Sequence, residues 1–129
     1  MTVQKGGWDY FQEEGNHVVF VPSSYDADLT MDANGESGAV ASGSTKIQIA
    51  NRGATTEDIR VAFGTSAANA ISNLTIATGA ATTGYYLPAA ADGGSQSVVV
   101  LGIPATATHY AVGTATASKT QTVSVTQGK

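Results

Sequence analysis

The chain has two histidines, His17 and His109, and they belong to neither an HxH nor an HExxH pattern, so no helix face or strand offers a ready zinc pair. Serine and threonine total 28, and a hydroxyl becomes a nucleophile only beside a base that a third group orients. The phrase Gly64-Thr65-Ser66-Ala67 lacks the GxSxG order of a nucleophile elbow. Glu13-Glu14 and Glu57-Asp58 are adjacent acids rather than the separated pair that glycosidic hydrolysis requires. The densest group of oxygen ligands is Asp26, Asp28, Asp32, Asn34 and Glu36. A calcium loop with Asp32, Asn34 and Gly35 at its third, fifth and sixth positions has Thr30 at its first and Ala41 at its twelfth, where acids are required. An ordinary acidic loop is the expectation. Gly35, Gly38 and Gly43, like Gly79 and Gly84, lack the strand-then-helix setting and the lysine of a phosphate cradle. Asn73-Leu74-Thr75 matches the short glycosylation pattern, with no secretion signal beside it. The expectation is no catalytic centre, no metal site and no cofactor.

Binding is the remaining class of function. The six basic residues are scattered through a chain of net charge −4, which leaves no electropositive track for nucleic acid. No apolar run reaches the length of a membrane span, and the opening residues lack a signal-peptide core, so synthesis in the cytoplasm is expected. Cysteine is absent, which removes disulfides and thiolate ligands. Aromatic residues are few, and three of the nine, Trp8, Tyr10 and Phe11, fall within a short acidic stretch. An exposed aromatic trio is an apolar liability, so residues 1–16 are expected to form an extended arm that packs on its own domain, on a neighbouring copy or on a partner protein. Tyr85, Tyr86 and Tyr110 are the alternative binding group, as stacking surfaces for a glycan.

The elements that must carry these residues are strands. Residues 17–129 are expected to form one domain, within the size that folds around a single core. The segment His17-Val18-Val19-Phe20-Val21 is β-branched and aromatic and is expected to stop at Pro22. Residues 25–43 look like a loop or a weak edge hairpin turning at Asn34-Gly35. Alternation in Lys46-Ile47-Gln48-Ile49 and in Ile59-Arg60-Val61-Ala62-Phe63 predicts two half-buried strands lying side by side. Residues 66–73 allow one or two helical turns capped by Ser66. Leu74-Thr75-Ile76 and Tyr85-Tyr86-Leu87 are short strand candidates. Ser97-Val98-Val99-Val100-Leu101 has the continuous apolar character of a central strand, and residues 108–112 and 121–126 supply the last two. The sum is an all-β protein, a compact antiparallel β-sandwich or jelly roll. Alanine, threonine, glycine and serine make up 64 of the 129 residues. Such small side chains imply a thin core and a marginal monomer completed by partners.

Three phrases carry a family resemblance: Ile47-Gln48-Ile49-Ala50-Asn51-Arg52-Gly53, then Arg60-Val61-Ala62-Phe63-Gly64, then residues 103–112 from Ile103-Pro104 to His109-Tyr110-Ala111-Val112, leading to Val123-Ser124-Val125-Thr126. An extended segment ending in N-x-G, a strand ending in FG and a Gly/Pro turn before a terminal strand resemble the small head-decoration, or cement, proteins of tailed bacteriophages. The resemblance covers roughly residues 45–127. It implies a virion structural protein that docks on the major capsid protein or on other virion proteins, often as a trimer, and joins the virion after synthesis in the host cytoplasm. A tail or fibre module that binds a host receptor or glycan is the alternative.

Overall fold

The computed structural model describes residues 20–51, 58–74, 76–77, 80–81, 85–87, 97–115 and 119–129. The described strands are β1 (Pro22–Met31), β2 (Glu36–Ala39), β3 (Lys46–Asn51), β4 (Ile59–Gly64), β5 (Ile76–Ala77), β6 (Ala80–Ala81), β7 (Tyr85–Leu87), β8 (Ser97–Gly102), β9 (His109–Thr114) and β10 (Gln121–Gly128). Among the described residues a single short helix, α1 (Ala67–Ser72), follows β4. Two four-stranded sheets result, sheet A in the order β2-β9-β4-β7 and sheet B in the order β1-β10-β3-β8, with β5 and β6 paired separately. Every pairing among the described strands is antiparallel.

The two sheets bury one common core. Ile59, Val61, Tyr110 and Val112 come from sheet A, and Met31, Ile47, Ile49, Leu101, Val123 and Val125 from sheet B. Period-two alternation puts them there: in β10 the burial pattern alternates strictly from Gln121 to Val125, as a strand with one face to the core must. Each Ile or Val fully removed from water contributes about 1.5–3 kcal/mol. This core contains no alanine. The alanines serve a second layer, where Ala62 and Ala111 on the outer side of sheet A pack against Ala70 and Leu74 of the helical segment. Composition therefore misled about the thin core, because the large side chains are concentrated between the sheets.

Several expectations require correction. Pro22 opens a strand instead of ending one, and residues 17–19 lie outside the described residues. Proline lacks an N–H, and the first position of an edge strand tolerates that loss. Residues 25–43 are neither a loop nor a hairpin: β1 takes up ten residues to Met31, and Asp32 to Gly35 then turns the chain into β2 at an edge of the other sheet, so the two strands do not pair. The turn itself was anticipated. The Asn34 backbone N–H donates to Asp32 Oδ1 at 2.8 Å, the Gly35 N–H to the Asp32 carbonyl at 3.1 Å, and Gly35 sits at φ 85°, a conformation a side chain disfavours. The β3 and β4 strands are not neighbours but belong to opposite sheets. The β8 strand is at an edge of sheet B, not its centre, and leaves Val98 50% exposed.

One buried polar side chain joins the two layers. Gln127 in β10 is fully buried. Its Oε1 accepts from the Ala41 N–H at 2.8 Å and its Nε2 donates to the Ala39 carbonyl at 3.0 Å. A strand of sheet B thus holds the segment that leaves β2 of sheet A.

Candidate functional site

An apolar depression lies where β4 meets β7. Along β4 the side chains alternate, so Val61 is in the core while Ala62 lies under the helix. Register pairs Tyr85 with Val61, and directly paired residues share a face. Tyr85 begins a three-residue strand at the sheet edge, where it remains 58% exposed. Val61, Ala62, Phe63, Tyr85 and Pro104 line a cleft of about 420 Å³. Pro104 is held by the turn that follows β8: the Ala107 N–H donates to the Pro104 carbonyl at 2.9 Å and the Thr108 N–H to the Gly64 carbonyl at 2.9 Å.

A smaller, polar depression of about 170 Å³ shares Phe63 and Pro104 and adds Gly64, Thr65, Asn69, Asn73, Thr106 and Ala107. The first turn of α1 organises it. Ser66 Oγ caps the helix by accepting from the Asn69 N–H at 3.1 Å, as anticipated from the sequence. Asn69 Oδ1 accepts from the Thr65 N–H at 2.9 Å, and Asn73 Nδ2 donates to the Phe63 carbonyl at 2.7 Å. A Cβ on Gly64 would overlap the Ala70 backbone, so glycine there lets α1 lie on the end of β4.

The sequence candidates are distributed as follows. Trp8, Tyr10, Phe11 and His17 lie outside the described residues, as does the side chain of Tyr86. Tyr85 is exposed on the cleft. Tyr110 is 1% exposed in the core and offers no stacking face. Its ring lies across Gly38, its partner in register. The Thr108 hydroxyl contacts His109 Nδ1 at 2.9 Å, which is one leg of a nucleophile and base pair. Among the described residues no carboxylate hydrogen-bonds His109 to complete it. Among the acids, Asp32 is engaged in the Asn34-Gly35 turn, and the side chains of Asp26 and Asp28 lie outside the described residues. Among the described residues, no three His, Asp or Glu side chains gather at metal-binding range, and no helix is long and apolar enough to cross a membrane.

A second surface went unnoticed in the sequence. On the outer side of sheet B, register aligns Val98 with Ala50 and Ser124, and Val100 with Gln48 and Thr126. Thr30 and Thr122 extend it, their hydroxyls 3.2 Å apart. The helix packs on sheet A, so this face of short side chains with an apolar edge is left half-exposed. Its signal was present in Val98-Val99-Val100-Leu101: a strand with one buried face has no need for valine at alternate outward positions. The cleft was harder to find, because Phe63 and Pro104 have the ordinary appearance of a core residue and a turn.

Comparison of this chain with protein-family models, curated proteins and solved structures finds no match.

Proposed function

We propose that this protein is a non-enzymatic virion structural protein: a β-sandwich with jelly-roll topology that docks on a capsid surface and stabilises the particle as a decoration or cement protein. The observation that carries the reading is the combination of strand order with the open face of sheet B. Among the described strands the first pairs with the last, β2 with β9, β3 with β8 and β4 with β7. This order is expected when one long antiparallel pair of strands is rolled into two sheets. Such double sheets recur in viral capsid and lectin domains. The analogy concerns architecture, and a site must still supply the function.

That site is the outer face of sheet B. Threonine, serine and alanine at half-exposed positions let a second protein backbone approach closely, and short polar side chains are ordered at little rotamer cost. Val98 and Val100 add an apolar rim. Contacts of this kind are weak singly and become durable when many copies engage one lattice. In this reading the partner is the major capsid protein or another virion protein, the protein acts as a homo-oligomer with a trimer favoured, and it resides in the virion after synthesis in the host cytoplasm. The test is to add purified protein to capsids that lack it. Saturable binding with raised resistance to heat is the expected result; failure to bind any part of the virion removes the reading.

A second reading is favoured by Tyr85, the exposed aromatic on the apolar cleft, which shares Phe63 and Pro104 with the separate depression that Asn69 and Asn73 line. Rings and amides together are the components of a sugar site, and a tail or fibre module could use them on a host receptor. A glycan array separates the two, since binding to a defined sugar that Tyr85→Ala abolishes favours the receptor module.

A further inference from the structure

We infer that the aromatic stretch from Trp8 to Phe11 seats in the apolar cleft of its own molecule, against Tyr85, Phe63 and Pro104. The inference goes beyond the capsid reading and does not depend on it.

Geometry supports it first. The described chain begins at the same end of the sheets as the cleft. Val21 and Lys129 exchange backbone hydrogen bonds of 2.7 and 3.1 Å. From there a row of paired residues, Pro22, Gly128, Lys46 and Gly102, crosses sheet B from β1 to β8. The Ile103 N–H then bonds the Thr45 carbonyl at 2.8 Å, and Pro104 follows. Three strand spacings of about 4.8 Å each separate the two edges, roughly 14 Å in all. The nine residues from Gln12 to Phe20 can span at most about 30 Å. The tether is long enough, with slack for the climb over the rim.

Chemistry supports it second. The cleft is apolar along its described walls and about 420 Å³ in volume, within the roughly 300–1,000 Å³ of pockets that take an organic ligand. The stretch carries three aromatic rings in four residues, and aromatic pairs stack edge-to-face or offset with a ring such as Tyr85. Glu13 and Glu14 follow Phe11, so a path across the sheet end carries these acids past Lys129 and Lys46. A tether this short gives an effective concentration in the millimolar range, well above micromolar protein in solution. The molecule's own arm therefore outcompetes that of a second copy.

Trp8 is the single tryptophan and the chain has no cysteine, which makes the test clean. In the full-length protein, Trp8 emission is expected to be blue-shifted and quenched by acrylamide several-fold less than in a synthetic peptide of residues 1–16, at every protein concentration. Tyr85→Asp should abolish the protection while circular dichroism and the urea midpoint stay near wild type. If that variant fails to fold, Phe11→Cys paired with Tyr85→Cys gives a second readout. Mild oxidation should close a disulfide within one chain, and Phe11→Cys paired with Thr30→Cys should not do so. Peptide-like quenching of Trp8, protection that survives Tyr85→Asp, or cross-links that join two chains would each overturn the inference.

Discussion

Replacing Gln127 by leucine tests whether the two sheets are tied by a buried amide. Leucine nearly conserves volume, so the cavity contribution is small and the polar loss is what is measured. Two bonds disappear, one from the Ala41 N–H and one to the Ala39 carbonyl. They do not cost the same. Ala39 is exposed, and a carbonyl keeps a second lone pair, so water can replace its partner. Ala41 is half-buried, and its orphaned N–H carries a penalty of about 1–3 kcal/mol. With a smaller contribution from Ala39, the expected loss is about 2–3 kcal/mol, or a Tm lowered by roughly 10 °C for a domain of this size. Urea unfolding should show a lower midpoint with an unchanged slope. A loss under about 0.5 kcal/mol, the range of ordinary surface changes, would show that the amide holds nothing. Gln127→Glu adds a check of sign. Its carboxylate would be buried beside a carbonyl, so burial raises its folded-state pKa above the unfolded value. The variant is then penalised at neutral pH, and its deficit against wild type narrows as pH falls through the folded pKa, where the protonated acid can again donate to Ala39.

The other expected outcomes follow the same physical reasoning. Gly38→Val places a Cβ where the Tyr110 phenol lies and should cost about 1–3 kcal/mol by overpacking; the loss should shrink when Tyr110→Leu is added, which a double-mutant cycle of urea midpoints measures. Ser66→Ala removes the cap on α1 and should cost about 1 kcal/mol, read as a lower midpoint of unfolding. Val98→Lys, at a half-exposed edge position, should leave unfolding within about 0.5 kcal/mol of wild type. In the capsid-binding assay the same variant should lose attachment if sheet B is the docking face.

The strands were legible and their neighbours were not. Ile47 and Ile49, like Ile59 and Val61, announce strands because one face of each meets the core, and all four are fully buried. The same pattern arises whichever sheet a strand joins, so it could not reveal that β3 and β4 face each other across the core. Successive strands here switch sheets at nearly every connection, and only the passage from β4 to β7 stays within sheet A. Pairings such as β1 with β10 span nearly the whole described chain, and nothing local encodes them. The β1 strand was legible only as one arm of a weak edge hairpin, for a different reason. Tyr25, Ala27, Leu29 and Met31 do alternate with polar residues, but Pro22 and two aspartates gave the segment a loop's composition. An edge strand accepts all three, because one of its sides needs no ladder partner.

The same distinction explains what the small side chains do. Averaged over the chain they suggest a weak interior, yet the space between the sheets is filled by Ile, Val, Leu, Met and Tyr. Alanine is used where α1 must lie close on sheet A, and threonine and serine are used where sheet B faces outward. A face that had only to meet water could carry lysine and glutamate, which protect a sheet against unwanted association. Here most of those positions hold short side chains, and the edge holds Val98 and Val100. Two charged residues share the outward register, Asp28 opposite Ser124 and Lys46 two places before Gln48, and the uncharged stretch between them is the part that the docking proposal uses. The hydrophobic interior accounts for the fold without this face, so Val98→Lys can change the proposed docking surface while leaving the core intact.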